Sequence, residues 1–270
     1  MVVILQAFLL SLIAGLATGL GGAVVALFRP ISMRTYDTLL GFAAGVMMAV
    51  ATLGLVQQAL TEGGVPVTLA GIAIGAGSLF LLDRYLPHEH ERLPFVCTEA
   101  LEGQGRRHRH RGPWARLAFV CTNPIAYRRG LLLFTALTLH NIPEGLAVGT
   151  SFTAAPRLGV LLALAIALHN IPEGMAVAGP FRACGMGRLR ATLWALASGL
   201  SEPVAAIIGA LFVSVFAPLL PISLAFAGGA MLYVVSDELI PESHSHGYEH
   251  QATFGFLAGF LLLVALLQAL

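Results

Sequence analysis

The 270-residue chain contains no lysine; all fifteen of its cationic residues are arginine. That absence removes a P-loop, which needs a lysine on the phosphates, and any Schiff-base enzyme, which needs a lysine amine. Charge of either sign is scarce, at 11% of residues against 57% hydrophobic, whereas a soluble domain keeps about a quarter of its residues charged. The chain cannot cover a water-facing surface of its own and reads as a bundle of lipid-facing helices. Its net charge of +1 gives a nucleic acid no electrostatic hold. The three cysteines, Cys97, Cys121 and Cys184, have neither metal-ligand spacing nor an even-numbered framework, and read as incidental thiols. The strings HExxH and GxSxG of metalloproteases and serine hydrolases are also missing.

What is present is a series of apolar runs at about 2–28, 39–60, 66–86, 130–152, 157–181, 189–213, 218–240 and 251–270. Each approximates the 20 residues that cross a bilayer at 1.5 Å rise per residue. The expected architecture is therefore all-α and integral to the membrane, with eight transmembrane helices forming one domain over residues 1–270. The first run has no arginine ahead of it and is too long for a signal-peptide core, so it reads as a retained helix. Arginines cluster after the odd-numbered helices: Arg29 and Arg34, then nine between Arg84 and Arg129, then three between Arg182 and Arg190. Those after the second, fourth and sixth number none, one (Arg157) and none. Arginine excess marks cytoplasmic loops, which puts both termini outside and makes the long connection at about 87–129 cytoplasmic. That loop holds HEHER (His88–Arg92) and RRHRHR (Arg106–Arg111). Arginine neighbours repel a cation from the second, so a solvated or lipid-headgroup role is expected there. ESHSHGYEH (Glu242–His250) mixes histidine with glutamate and is the better candidate for loose metal capture.

The most informative feature is a duplication. The fourth run contains LHNIPEGLAVG (Leu139–Gly149) and the fifth LHNIPEGMAVAG (Leu168–Gly179), with the two histidines 29 residues apart. The short link between the runs makes them antiparallel neighbours and puts His140 and His169 near mid-membrane. The sixth run adds Glu202 in SGLSEP (Ser198–Pro203). A charge at that depth costs roughly 2.5–3.5 kcal/mol, so Glu144, Glu173 and Glu202 together cost about 8–10 kcal/mol unless neutralised. Lipid cannot neutralise them; a divalent cation can. On a helix turning 100° per residue, Asn141 lies 100° from His140 and Glu144 returns to about 40°, between the two. One carboxylate can thus serve a metal at His140 and another at Asn141, and the same holds for His169, Asn170 and Glu173. Imidazole with carboxylate suits Zn²⁺, Fe²⁺ or Mn²⁺. Pro143 and Pro172 each free a helical carbonyl and are expected to kink their helices. Gly145 and Gly174, following the glutamates, allow a neighbouring helix to approach closely.

These strings, with GFAAGVMM (Gly41–Met48) and DELIPE (Asp237–Glu242), resemble the ZIP (Zrt/Irt-like) metal transporters along essentially the whole chain, and most closely their prokaryotic GufA-like branch. The resemblance implies eight helices with both termini outside and a two-metal site between helices four and five. It implies a principal site of His140, Glu144, His169 and Glu173 with Met47 nearby, and an adjoining site of Asn141, Asn170, Glu202 and Asp237 that shares Glu144 and Glu173. It also implies inverted symmetry between helices one to three and six to eight. Two positions depart from close relatives: Asn170 stands where aspartate is common, and Asp237 where histidine is. The expected function is transport of Zn²⁺, with Fe²⁺, Mn²⁺ and Cd²⁺ as alternatives, toward the cytoplasm across a bacterial inner membrane. The metal is substrate and no cofactor is expected. Membrane lipids and a homodimer are the other expected partners. An intramembrane metal-dependent hydrolase and a metal sensor are the rival classes.

The arginine count generates a test. In a cysteine-free background, Arg107→Cys should react with a membrane-impermeant thiol reagent only in inside-out vesicles; labelling in intact cells would invert the topology.

Overall fold

The computed structural model describes residues 2–27, 32–85 and 123–269. HEHER, RRHRHR, Cys97 and Cys121 lie outside the described residues. Among them every regular element is a helix, with no strand. The helices are α1 (Val2–Leu27), α2 (Met33–Ala49), α3 (Gln57–Tyr85), α4 (Pro124–Ala154), α5 (Pro156–Ala183), α6 (Arg188–Gly199), α7 (Ser201–Val215), α8 (Leu220–Val234), α9 (Ile240–Ser243) and α10 (Glu249–Ala269). Two π-helical segments, Val50–Val56 and Val235–Leu239, join α2 to α3 and α8 to α9.

Seven stretches among the described residues are long and apolar enough to cross a membrane. One of them, Met33–Leu82, has 50 residues and as a straight helix would measure about 75 Å, more than twice the hydrocarbon core. It is not straight. Gly64 sits at φ 69°, ψ 178° inside α3, outside helical geometry, in a region that a side chain disfavours. Pro66 follows it, where a missing N–H is harmless in the first turn of a resumed helix. The runs expected at 39–60 and 66–86 fall on either side of this break.

Helix ends elsewhere differ from the apolar runs for local reasons. α4 starts at Pro124, six residues before the expected 130, because Asn123 caps it: its Oδ1 accepts from the Ala126 N–H at 3.1 Å. Residues 124–129, including Arg128 and Arg129, are therefore helix rather than loop. Hydropathy marks where the greasy run begins, whereas the cap marks where the helix begins. A single extended residue, Ala155 (φ −147°, ψ 110°), separates α4 from α5, and Pro156 opens α5. Both helices continue without a break through Pro143 and Pro172. The sixth span is divided at Leu200, inside SGLSEP, into α6 and α7.

The helices pack in two groups. α1 lies against α5, α6 and α7, with α4 against α5 and α7; separately, α3 pairs with α8 and α2 with α10. Contacts of α2 with α5 and of α4 with α8 join the groups. In lipid no hydrophobic force pushes helices together, so close backbone approach through small residues has to do it. The α2–α10 pair shows this reciprocally. Gly41 and Gly45 face the backbone of Ala252 and Phe256, while Gly255 and Gly259 face that of Thr38 and Phe42.

Gly45→Ala should accordingly force α2 and α10 apart and destabilise the protein by about 1–3 kcal/mol. Gly77, whose added Cβ would meet nothing within 4 Å, is the control: Gly77→Ala should be neutral or raise stability by up to ~1 kcal/mol. Thermal melts of the two variants in detergent test the difference, and equal midpoints would contradict it.

Candidate metal site

The one-residue link at Ala155 folds α5 back along α4 and brings the two HNIPEG strings face to face. His140 is 3% exposed, and Asn141, Glu144, His169, Asn170, Glu173 and Glu202 are fully buried. Within each helix the i,i+4 relation holds histidine near glutamate: His140 Nε2 is 3.4 Å from Glu144 Oε1, and His169 Nε2 is 3.8 Å from Glu173 Oε1. Between the helices the approach is as close. Glu144 Oε1 lies 2.8 Å from His169 Nε2, and Glu173 Oε1 lies 3.5 Å from His140 Nε2. Each carboxylate therefore spans both histidines.

The ligand atoms of His140, Glu144 and Glu173 all lie within 4.8 Å of one another. Two atoms each 2.0–2.1 Å from a tetrahedral Zn²⁺ are separated by about 3.3 Å, close to the 3.4 and 3.5 Å measured from His140 Nε2. Several polar atoms here have no hydrogen-bond partner in the protein: both oxygens of Glu173, Glu144 Oε2 and both ring nitrogens of His140, only one of which can carry a lone pair in a neutral ring. Unpaired buried polar groups of this kind are costly in an apolar bundle. A cation is the species that satisfies several at once.

A second group adjoins the first. Asn170 Nδ2 donates to Glu202 Oε1 at 2.5 Å and to the Ala14 carbonyl of α1 at 2.8 Å. Asn141 Nδ2 donates to the Ser198 carbonyl at 3.0 Å. Both amides thus aim their NH₂ groups at fixed acceptors, leaving Asn141 Oδ1, Asn170 Oδ1 and Glu202 Oε2 buried and unpartnered. The break at Leu200 makes this arrangement. Pro203 has no N–H for the Gly199 carbonyl, which faces Gly15 of α1 instead. Ser201 Oγ ties the break to α4 by donating to the Thr138 carbonyl at 3.1 Å. Glu202 then stands in the first turn of α7, where the positive end of the helix favours a carboxylate. Gly145 and Gly174 provide the expected close approaches, to the backbone of Glu202 and of Thr18.

Met47 is fully buried in the core that α2 shares with Leu161 and Leu162 of α5, while Met48 is only partly buried against that core. Asp237 has Oδ2 buried without a partner. Its neighbour Glu238 reaches the principal cluster, with Oε2 3.9 Å from His140 Nδ1. Sequence reasoning passed over Glu238; the signal would have been a π-helical turn, which shifts the face presented by the residues it carries. His246 of ESHSHGYEH pairs at 2.8 Å with Asp37 Oδ1, a buried acid of α2 that the sequence reading also passed over. His244 is held by Ser243 and the Ile240 carbonyl at 2.9 Å.

The ZIP zinc transporter family model matches residues 4–267. The chain belongs to the ZIP family. It is 42% identical over 275 residues to zinc transporter ZIPB of Bordetella bronchiseptica, covering 95% of this chain and 79% of that protein. It is 40% identical over 266 residues to zinc transporter GufA of Myxococcus xanthus, covering 95% of each. Zinc transporter ZIP11 of Homo sapiens matches at 31% over 317 residues and 92% of each chain. ZIP proteins are a transporter family, so this member is not an enzyme, and the hydrolase reading is set aside.

The expectation that Glu144 is shared between two metals makes a test in this ZIP protein. Glu144→Ala should lower bound zinc more than Asn141→Ala or His140→Ala, each of which should leave about one metal per chain. Glu144→Gln keeps the volume and removes the charge, isolating electrostatics from packing. Metal counting on purified variants decides: equal losses for Glu144→Ala and Asn141→Ala would mean that the carboxylate is not shared.

Proposed function

We propose that this protein carries Zn²⁺ across the bacterial inner membrane toward the cytoplasm, through a two-metal site at mid-membrane. The observation that carries the reading is the convergence of His140, Glu144 and Glu173 ligand atoms in a buried, apolar setting. His169 completes the principal position. Asn141, Asn170 and Glu202, with Asp237 as a further acid, form the adjoining one. Met47 supplies a soft contact on the α2 side. Fe²⁺, Mn²⁺ and Cd²⁺ suit the same donors and compete. The names of the relatives, zinc transporters ZIPB and GufA, support zinc as the first substrate.

The proposed topology has eight crossings in one transmembrane domain, the second and third being the halves of Met33–Tyr85 on either side of Gly64. The arginine distribution supports both termini lying outside. Energetically, a divalent ion entering down the membrane potential gains about 4.6 kcal/mol per 100 mV. No nucleotide is needed.

Uptake by proteoliposomes loaded with a zinc-sensitive dye tests the proposal, with Fe²⁺, Mn²⁺ and Cd²⁺ as competitors. Wild-type protein should transport zinc. His169→Ala and Glu173→Ala should lose most uptake while remaining folded, since each removes a ligand and the first also leaves Glu144 and Glu173 to repel each other. Wild-type rates in both variants would take these residues out of the pathway, and zinc binding without flux would instead favour a sensor.

A further inference from the structure

We infer that the two positions sort metals by hardness: the adjoining one takes an oxygen-seeking divalent ion, with Mn²⁺ as its representative, while zinc occupies the principal one. This rests on the two-metal reading proposed above and assigns the competing ions to places within it.

The donor chemistry of the two positions differs. The principal cluster offers imidazole nitrogen from His140 and His169 beside its carboxylates. The adjoining group offers only oxygen, because its two amides are held one way round. Asn170 Nδ2 has two acceptors, Glu202 Oε1 at 2.5 Å and the Ala14 carbonyl at 2.8 Å. Turning that amide over would set its oxygen against both, acceptor to acceptor. Asn141 Nδ2 donates to the Ser198 carbonyl at 3.0 Å, and turning it over would set its oxygen against that carbonyl. The neighbours thus fix which end of each amide is the oxygen. Both Oδ1 atoms are buried with no donor, and so is Glu202 Oε2. An acceptor that has no donor in an apolar interior is matched by a cation.

The fold brings these oxygens to one place, the division between α6 and α7. Asn141 of α4 bonds to Ser198 ahead of it, and Asn170 of α5 bonds to Glu202 behind it. Gly145, one helical turn beyond Asn141, lies against the Glu202 backbone. With Glu144 Oε2 and an oxygen of Glu173, both also unpartnered, the position can draw on five oxygens. Such a set approaches the six-oxygen environment that suits Mg²⁺, Ca²⁺ and Mn²⁺, whereas imidazole in a four-coordinate site suits zinc. Mg²⁺ gives up its water reluctantly, a handicap where Asn141, Asn170 and Glu202 are all fully buried. Of these three residues only Glu202 carries charge, so the position lacks both the nitrogen and the anionic density with which zinc outbids manganese.

The test uses full-length protein in nanodiscs, with zinc buffered at a level that fills one position and Mn²⁺ in excess. Elemental analysis should find about one zinc and about one manganese per chain. Electron spin-echo spectroscopy of the bound Mn²⁺ should show no imidazole ¹⁴N coupling. Asn141→Leu should lose the manganese and keep the zinc. Asn170→His, which brings a nitrogen donor, should take a second zinc in place of manganese under the same conditions. Manganese that shows imidazole coupling, or one zinc with no manganese, overturns the sorting. Raising zinc to saturation then separates the two levels. If a second zinc binds, the two-metal reading stands and only the sorting fails; if no second metal of either kind binds, the two-metal reading itself fails.

Discussion

The constraint on which everything else depends is the burial of three carboxylates, Glu144, Glu173 and Glu202, in an apolar helical bundle. Each is paired as far as neighbouring side chains permit: Glu144 with His169 and His140, Glu173 with both histidines, Glu202 with Asn170. None is fully satisfied, because every one of them keeps at least one oxygen without a hydrogen bond. A protein selected only for stability would replace such groups with packed hydrocarbon, which is often no worse than a buried ion pair. Keeping them makes sense where a passing cation supplies the missing charge, and in a membrane no other solvent can.

Much of this was legible in the residues because chemistry and period coincide there. The repeated HNIPEG string names its own ligands, and the helical angle places Glu144 beside His140. The close approaches at Gly145 and Gly174 also follow from the small residue after each glutamate. What could not be read were relations across helices. Angles on one helix say nothing about its neighbour, so the meeting of Glu144 with His169 was implied by the family resemblance alone, and the tie from Asn141 to the Ser198 carbonyl emerged only in three dimensions. Boundaries failed for a related reason. Hydropathy found the greasy part of α4 but not the Asn123 cap seven residues before it, and it treated SGLSEP as continuous when Pro203 leaves the turn at Leu200 divided.

Irregular turns recur where polar side chains must be aimed. The π-helical segment after α8 carries Asp237 and Glu238, the one after α2 follows Met47 and Met48, and the division at Leu200 presents Glu202. A regular helix offers faces at fixed 100° steps, which is a coarse set of directions. A wider turn or a break gives intermediate ones, provided that neighbouring groups take up the released backbone partners. Ser201 and Asn141 do so around Leu200, both donating to the Ser198 carbonyl. The positions hardest to foresee from periodicity are thus the ones that orient the site.

The single residue between α4 and α5 has a mechanical corollary. With only Ala155 to absorb any displacement, the hairpin has almost no slack at that end, and neither helix can slide a full turn past the other without unwinding. The two halves of the principal cluster must then travel together, as one stiff prong. A parting that admitted water or ions would meet less resistance between that prong and its walls than within the prong. The contacts of α2 with α5 and of α4 with α8 are the surfaces along which such a parting would have to run.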